Sequence, residues 1–79
     1  MTSITIKKEI LEELIDFKLN SIINEINQTL SKWNYSEINV FLEDARNGTL
    51  EEAEDDAIDL TNLIDQRDAL YQLKMNLQS

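Results

Sequence analysis

No proline occurs anywhere in the 79 residues, and the only glycine is Gly48. These are the residues that most often stop a helix or turn a chain. A sequence almost without them has few places to turn. Long helices are therefore the expectation.

Hydrophobic spacing agrees. Leu11, Ile15, Leu19, Ile22, Ile26, Leu30 and Trp33 recur at intervals of three and four, which places them on one face of a helix and not on one face of a strand. The first helix is predicted over about 7–33, with Thr5 as a possible cap. Ile4, Thr5 and Ile6 alternate like a short strand, but three such residues cannot make a sheet. Asn34, Tyr35 and Ser36 interrupt the pattern, and Ser36 suits an N-cap. A short helix is predicted over about 37–47, presenting Ile38, Phe41, Leu42 and Ala45 as one apolar face. Gly48 then offers the left-handed position that ends helices at little cost.

Thr49-Leu50-Glu51-Glu52 fits the capping box, in which Thr49 and Glu52 satisfy each other's backbone amides. It opens a third helix predicted over about 50–77. Ala53, Ala57, Leu60, Ile64 and Tyr71 form its expected seam, and Lys74 suits the negative end of the helix dipole. The expected fold is all-α, one helical domain spanning 1–79. Two long helices make an antiparallel hairpin, with the short helix in the connection.

Size raises the question of a partner. A domain this small buries only about 60% of its unfolded surface, and such domains commonly add a disulfide, a metal or a subunit. There is no Cys and no His, which removes disulfides, thiolate sites and the commonest metal ligand. Apolar surface also exceeds what a two-helix sandwich can bury. Ile10 and Phe17 widen the apolar face of the first helix, and Leu63, Leu70, Leu73 and Leu77 add a second stripe to the third. An antiparallel hairpin brings these regions to the same end. Patches of this kind mark interfaces, so two hairpins are expected to pair there into a four-helix-bundle homodimer. The alternative is that the short helix folds over the patch.

Charge is concentrated at the other end. The net charge is −9. Between 43 and 68, ten acidic residues face only Arg46 and Arg67, a local net of −8. Charge blocks are common on exposed helices, so a solvated face is the first expectation here; as a binding site, Glu51, Glu52, Asp55, Asp56 and Asp59 form the candidate cluster, for which a basic protein surface is the complementary ligand. Net negative charge argues against nucleic acid or an anionic membrane as a direct ligand. No Asp/Asn loop with a central Gly marks an EF-hand, and no Glu-x-x-His pair marks a di-iron bundle. No metal or other cofactor is expected.

Two lesser features complete the surface. Asn20, Ser21, Asn24, Asn27, Gln28 and Ser31 make the outer middle of the first helix polar and nearly uncharged. Trp33, Tyr35 and Phe41 gather at the first junction, where packing is their expected use.

Three Asn-x-Ser/Thr patterns, at Asn27, Asn34 and Asn47, are read as coincidence without a secretory signal. No stretch approaches the roughly 18 apolar residues of a membrane span. The expected location is the cytoplasm. Nothing resembles a nucleophile–base pair or a phosphate-binding loop, so an enzyme is not expected. The leading expectation is a small regulatory or adaptor protein acting by protein–protein contact. The alternatives are an acidic inhibitor that mimics nucleic acid and a structural subunit of a larger assembly.

Overall fold

A computed structural model describes residues 7–78. The expectations for Ile4–Ile6 and for a Thr5 cap lie outside these residues. The described chain is helical, without strands, in the order α1 (Lys8–Lys32), α2 (Ile38–Arg46), a 3₁₀ turn (Glu51–Ala53) and α3 (Glu54–Gln78).

Helix α1 has 25 residues and is about 37 Å long at 1.5 Å per residue. It ends by a device the sequence reading did not find. Asn34 adopts a left-handed conformation, φ 61°. Its N–H donates to the Ser31 carbonyl at 3.1 Å, and the Tyr35 N–H donates to the Leu30 carbonyl at 2.8 Å. This pair of bonds is the Schellman arrangement, which satisfies carbonyls that would otherwise lack partners at a helix end. Asn is the commonest substitute for Gly at such a site.

Two predicted caps do not form. At α2 the capping position falls on Glu37, whose side chain makes no capping bond, and Ser36 lies one residue outside it. At the start of α3 the Thr49–Glu52 box is absent. The Thr49 N–H instead donates to Asn47 Oδ1 at 2.9 Å, and the Leu50 N–H reaches back to the Asp44 carbonyl at 3.0 Å. With Gly48 at φ 89°, these bonds draw the connection tight. The first turn of the third helix is consequently 3₁₀, closed by the Ala53 N–H on the Leu50 carbonyl at 3.1 Å.

The long helices run antiparallel. Asp16 near the start of α1 meets Lys74 near the end of α3, while Lys32 at the end of α1 meets Asp56 near the start of α3. The connection makes one closed end, and the two free helix ends make an open one.

The core sits at the closed end. Ile22, Ile26 and Leu30 of α1, Phe41 and Ala45 of α2, Ala53, and Leu60 of α3 form one buried cluster. Phe41, Ala53 and Leu60 are fully buried. Burial of each large side chain contributes about 1.5–3 kcal/mol. The Tyr35 and Phe41 rings meet edge to face with centroids 5.3 Å apart, a favoured aromatic geometry. Trp33 packs against the same cluster.

The seam of α3 differs from the predicted one. Tyr71 is exposed, and the half-buried positions beyond Leu60 are Leu63, Ile64, Arg67, Leu70, Lys74 and Leu77. Arg67 and Lys74 lay apolar stems along the seam while their charged heads reach carboxylates at the edge. A seam drawn from apolar residues alone therefore turned too far towards Tyr71.

Candidate interaction surfaces

The acidic end is built on the first turns of the third helix. Glu51, Glu52, Asp55 and Asp59 are exposed, as is Glu54 beside them. Asp56 behaves differently. Its Oδ2 accepts from Lys32 Nζ and from Trp33 Nε1, each at 2.9 Å. The Lys32 bond, then the Trp33 bond, hold this carboxyl below its ordinary range. Asp56 is thus committed to tying the two long helices together. The other four predicted binding residues remain on the surface.

A second carboxylate is similarly engaged. The Tyr35 hydroxyl donates to Asp44 Oδ2 at 2.6 Å. That bond, with burial and the negative charge of Asp44, raises the Tyr35 phenol above its usual value. The contact fixes the α1–α2 junction to the outer side of α2.

Beside the acidic turn, α2 and α3 leave an open groove of about 420 Å³. Leu42, Ala45, Ala57 and Ile58 supply apolar lining, Glu51 and Glu54 supply carboxylates, and Arg46 stands at the same groove. Ile58 is 56% exposed. Sequence reasoning did not single out this residue. Its signal was an isoleucine within the acidic run, off the apolar seam of its own helix.

At the open end, Ile10, Leu14, Phe17, Tyr71, Leu73 and Met75 are exposed, Phe17 to 78%. Three predicted self-association residues, Ile10, Phe17 and Leu73, belong to this group. Leu63 and Leu70 instead pack against their own chain's core, and Leu77 is half-buried. Leu14 points outward beside Ile10 and Phe17, 61% exposed. Helix α2 packs at the closed end through Phe41 and Ala45 and leaves the open end uncovered. One ion pair crosses there, Lys74 Nζ to Asp16 Oδ1 at 2.6 Å. It raises the Lys74 ammonium above its ordinary value against a smaller opposing effect of burial, with Asp16, Glu12 and Tyr71 adding electrostatic support.

Among the described residues, no group of three or more acidic side chains converges as metal ligands would. No described helix is long and apolar enough to cross a membrane. The chain matches no family model, no curated protein and no solved structure.

Proposed function

We propose that the protein is a non-catalytic interaction module of the regulatory or adaptor kind, which binds a basic protein segment at its closed end and self-associates through its open end. The observation that carries this reading is the α2–α3 groove, where apolar Leu42 and Ile58 lie beside Glu51 and Glu54 at the end holding most of the negative charge. Lysine and arginine side chains have the matching form, an apolar stem with a cationic head. Opposite charge on the two surfaces would speed encounter and select against acidic competitors.

Self-association rests on the open end. Leu14, Phe17, Leu73 and Met75 are each about half exposed or more, and neither α2 nor the hairpin itself covers them. Pairing two hairpins through this end, four helices in all, would bury part of this surface and keep it apart from the acidic turns.

The experiment is capture of binding proteins from the native source, run in parallel on the wild type and on the triple variant Glu51→Lys/Asp55→Lys/Asp59→Lys. Circular dichroism first establishes that both are helical. The reading expects a basic protein that the wild type retains and the variant loses, and that nucleic acid does not displace. Displacement by nucleic acid would instead identify a mimic, and identical capture by both proteins would reject the acidic end as a binding surface.

A further inference from the structure

The outer face of α1 carries a regular pattern that its own fold does not use. Ile10, Leu14, Phe17, Ser21, Asn24 and Gln28 follow one another at alternating steps of four and three. This is the heptad spacing of a coiled-coil seam. All six are exposed. At 100° per residue they lie on the side of the helix opposite Ile15, Leu19, Ile22 and Ile26, which face the core. None is charged, although 29% of the chain is.

Charge complementarity along this seam identifies its occupant. In a parallel pair of coiled helices, each residue flanking the seam meets the residue five positions further along the partner. Glu13 and Lys18 occupy such positions, with opposite signs. Both are exposed, and neither is paired within the described chain. The two following flanking pairs, Asn20 with Glu25 and Asn27 with Lys32, bring no like charges together. The antiparallel register that sets Leu14 against Phe17 puts Glu13 against Asn20 and Lys18 against Leu11, leaving both charges unmatched, and the one that brings Lys18 to Glu25 sets Phe17 against Gln28. Parallel alignment also sets apolar residues against apolar ones, and Ser21, Asn24 and Gln28 against themselves. Polar residues at such positions fix register and orientation.

We infer that the seam on α1 is the contact for the α1 of a second copy, running parallel and in register. This rests on the self-association proposed above and narrows its contact to the outer faces of the two α1 helices, burying Leu14 and Phe17 and leaving Leu73 and Met75 of α3 outside it. The acidic turns of the two copies then lie at the same end of the dimer, and a basic partner would meet both together.

The native chain has no cysteine, so single-cysteine variants of the full chain report the geometry directly. Asn24→Cys should form a disulfide-linked dimer on mild oxidation, while Asn20→Cys, off the seam, should remain largely unlinked. Lys18→Glu should weaken association roughly three- to tenfold, judged from two ion pairs lost per dimer. Adding Glu13→Lys to it should restore association. A dimer by sedimentation in which Asn24→Cys fails to link, while a mixture of Lys7→Cys and Asn24→Cys does, would establish antiparallel pairing and overturn this inference alone. A monomer at all accessible concentrations would overturn it together with the self-association beneath it.

Discussion

The Trp33 indole N–H and the Lys32 ammonium converge on a single oxygen, Asp56 Oδ2, each at 2.9 Å. Two consecutive residues at the end of α1 are thereby fastened to one carboxylate in the first turn of α3. Lys32 also lies 5.5 Å from the Trp33 ring centroid, within the range of a cation–π contact. The most acidic segment of the chain is thus held to the hairpin by one of its own carboxylates.

Removing that carboxylate should loosen the closed end. Asp56→Ala is expected to lower the melting temperature and shift Trp33 fluorescence, because the indole N–H loses its acceptor. Asp55→Ala, one residue away and exposed, should leave both close to wild type. Thermal melts followed by tryptophan emission compare the two directly.

The same contacts set the pH limits. The Asp56 pKa is lowered in the folded state, so its contribution is complete above its ordinary value of 3.8 and is lost as pH falls through the lower folded value. Lys74 and Tyr35 are raised. Their contributions are complete below their ordinary values, 10.5 and 10.0, and are lost as pH rises through the higher folded ones. Stability should therefore decline at both extremes. Asp56→Asn should flatten the acid arm, and Asp16→Asn the alkaline one. Melting temperature measured against pH for the three proteins checks both signs.

Core and surface positions of α3 should respond very differently. Leu60 is fully buried, and Leu60→Ala should cost about 2–5 kcal/mol through lost burial and the cavity left behind. Tyr71 is 44% exposed, and Tyr71→Ala should stay within about 0.5 kcal/mol at concentrations where the chain is monomeric. Denaturant titration distinguishes this from the sequence-derived seam, which gives the two residues equivalent burial.

Two turns test the backbone account. At φ 89° a side chain on Gly48 is strained even though no atom lies within 4 Å of the added carbon. Gly48→Ala should destabilise by about 1–2 kcal/mol from backbone conformation alone. Asn34→Gly should be neutral or slightly stabilising at φ 61°, whereas Asn34→Ala should cost about 1 kcal/mol. The same denaturant series ranks all three.

What could be read from sequence follows from where each determinant lies. The long helices at either end, the short one between them and the buried face of α1 were legible, because spacing at three and four residues is local and repeats. Their terminations were less so. Thr49 carries the right pattern for a cap, but Asn47 Oδ1 takes its amide and the Asp44 carbonyl takes that of Leu50. Neither competing bond is visible in the four-residue motif. On α3, Arg67 and Lys74 occupy seam positions that a hydrophobic pattern passes over.

The interaction surfaces divide in the same way. The acidic run and the surplus of apolar residues are properties of composition along a helix, and they were apparent. The commitment of Asp56 was not, since Lys32 and Trp33 lie on another helix and only the fold brings them within 2.9 Å. The groove beside Ile58 depends on how α2 lies against α3, which no short-range pattern specifies.

The most direct test of the functional reading is calorimetric titration of the purified chain with a lysine- and arginine-rich amphipathic peptide, using a peptide of the same apolar residues with glutamates in place of the cations as control. The account predicts saturable binding of the basic peptide that weakens with added salt, is lost in Glu51→Lys/Asp55→Lys/Asp59→Lys and is reduced by Ile58→Ser, with no binding of the acidic control. Equal binding of the basic peptide by wild type and the charge-reversed protein would contradict it, as would no binding by the wild type at low salt.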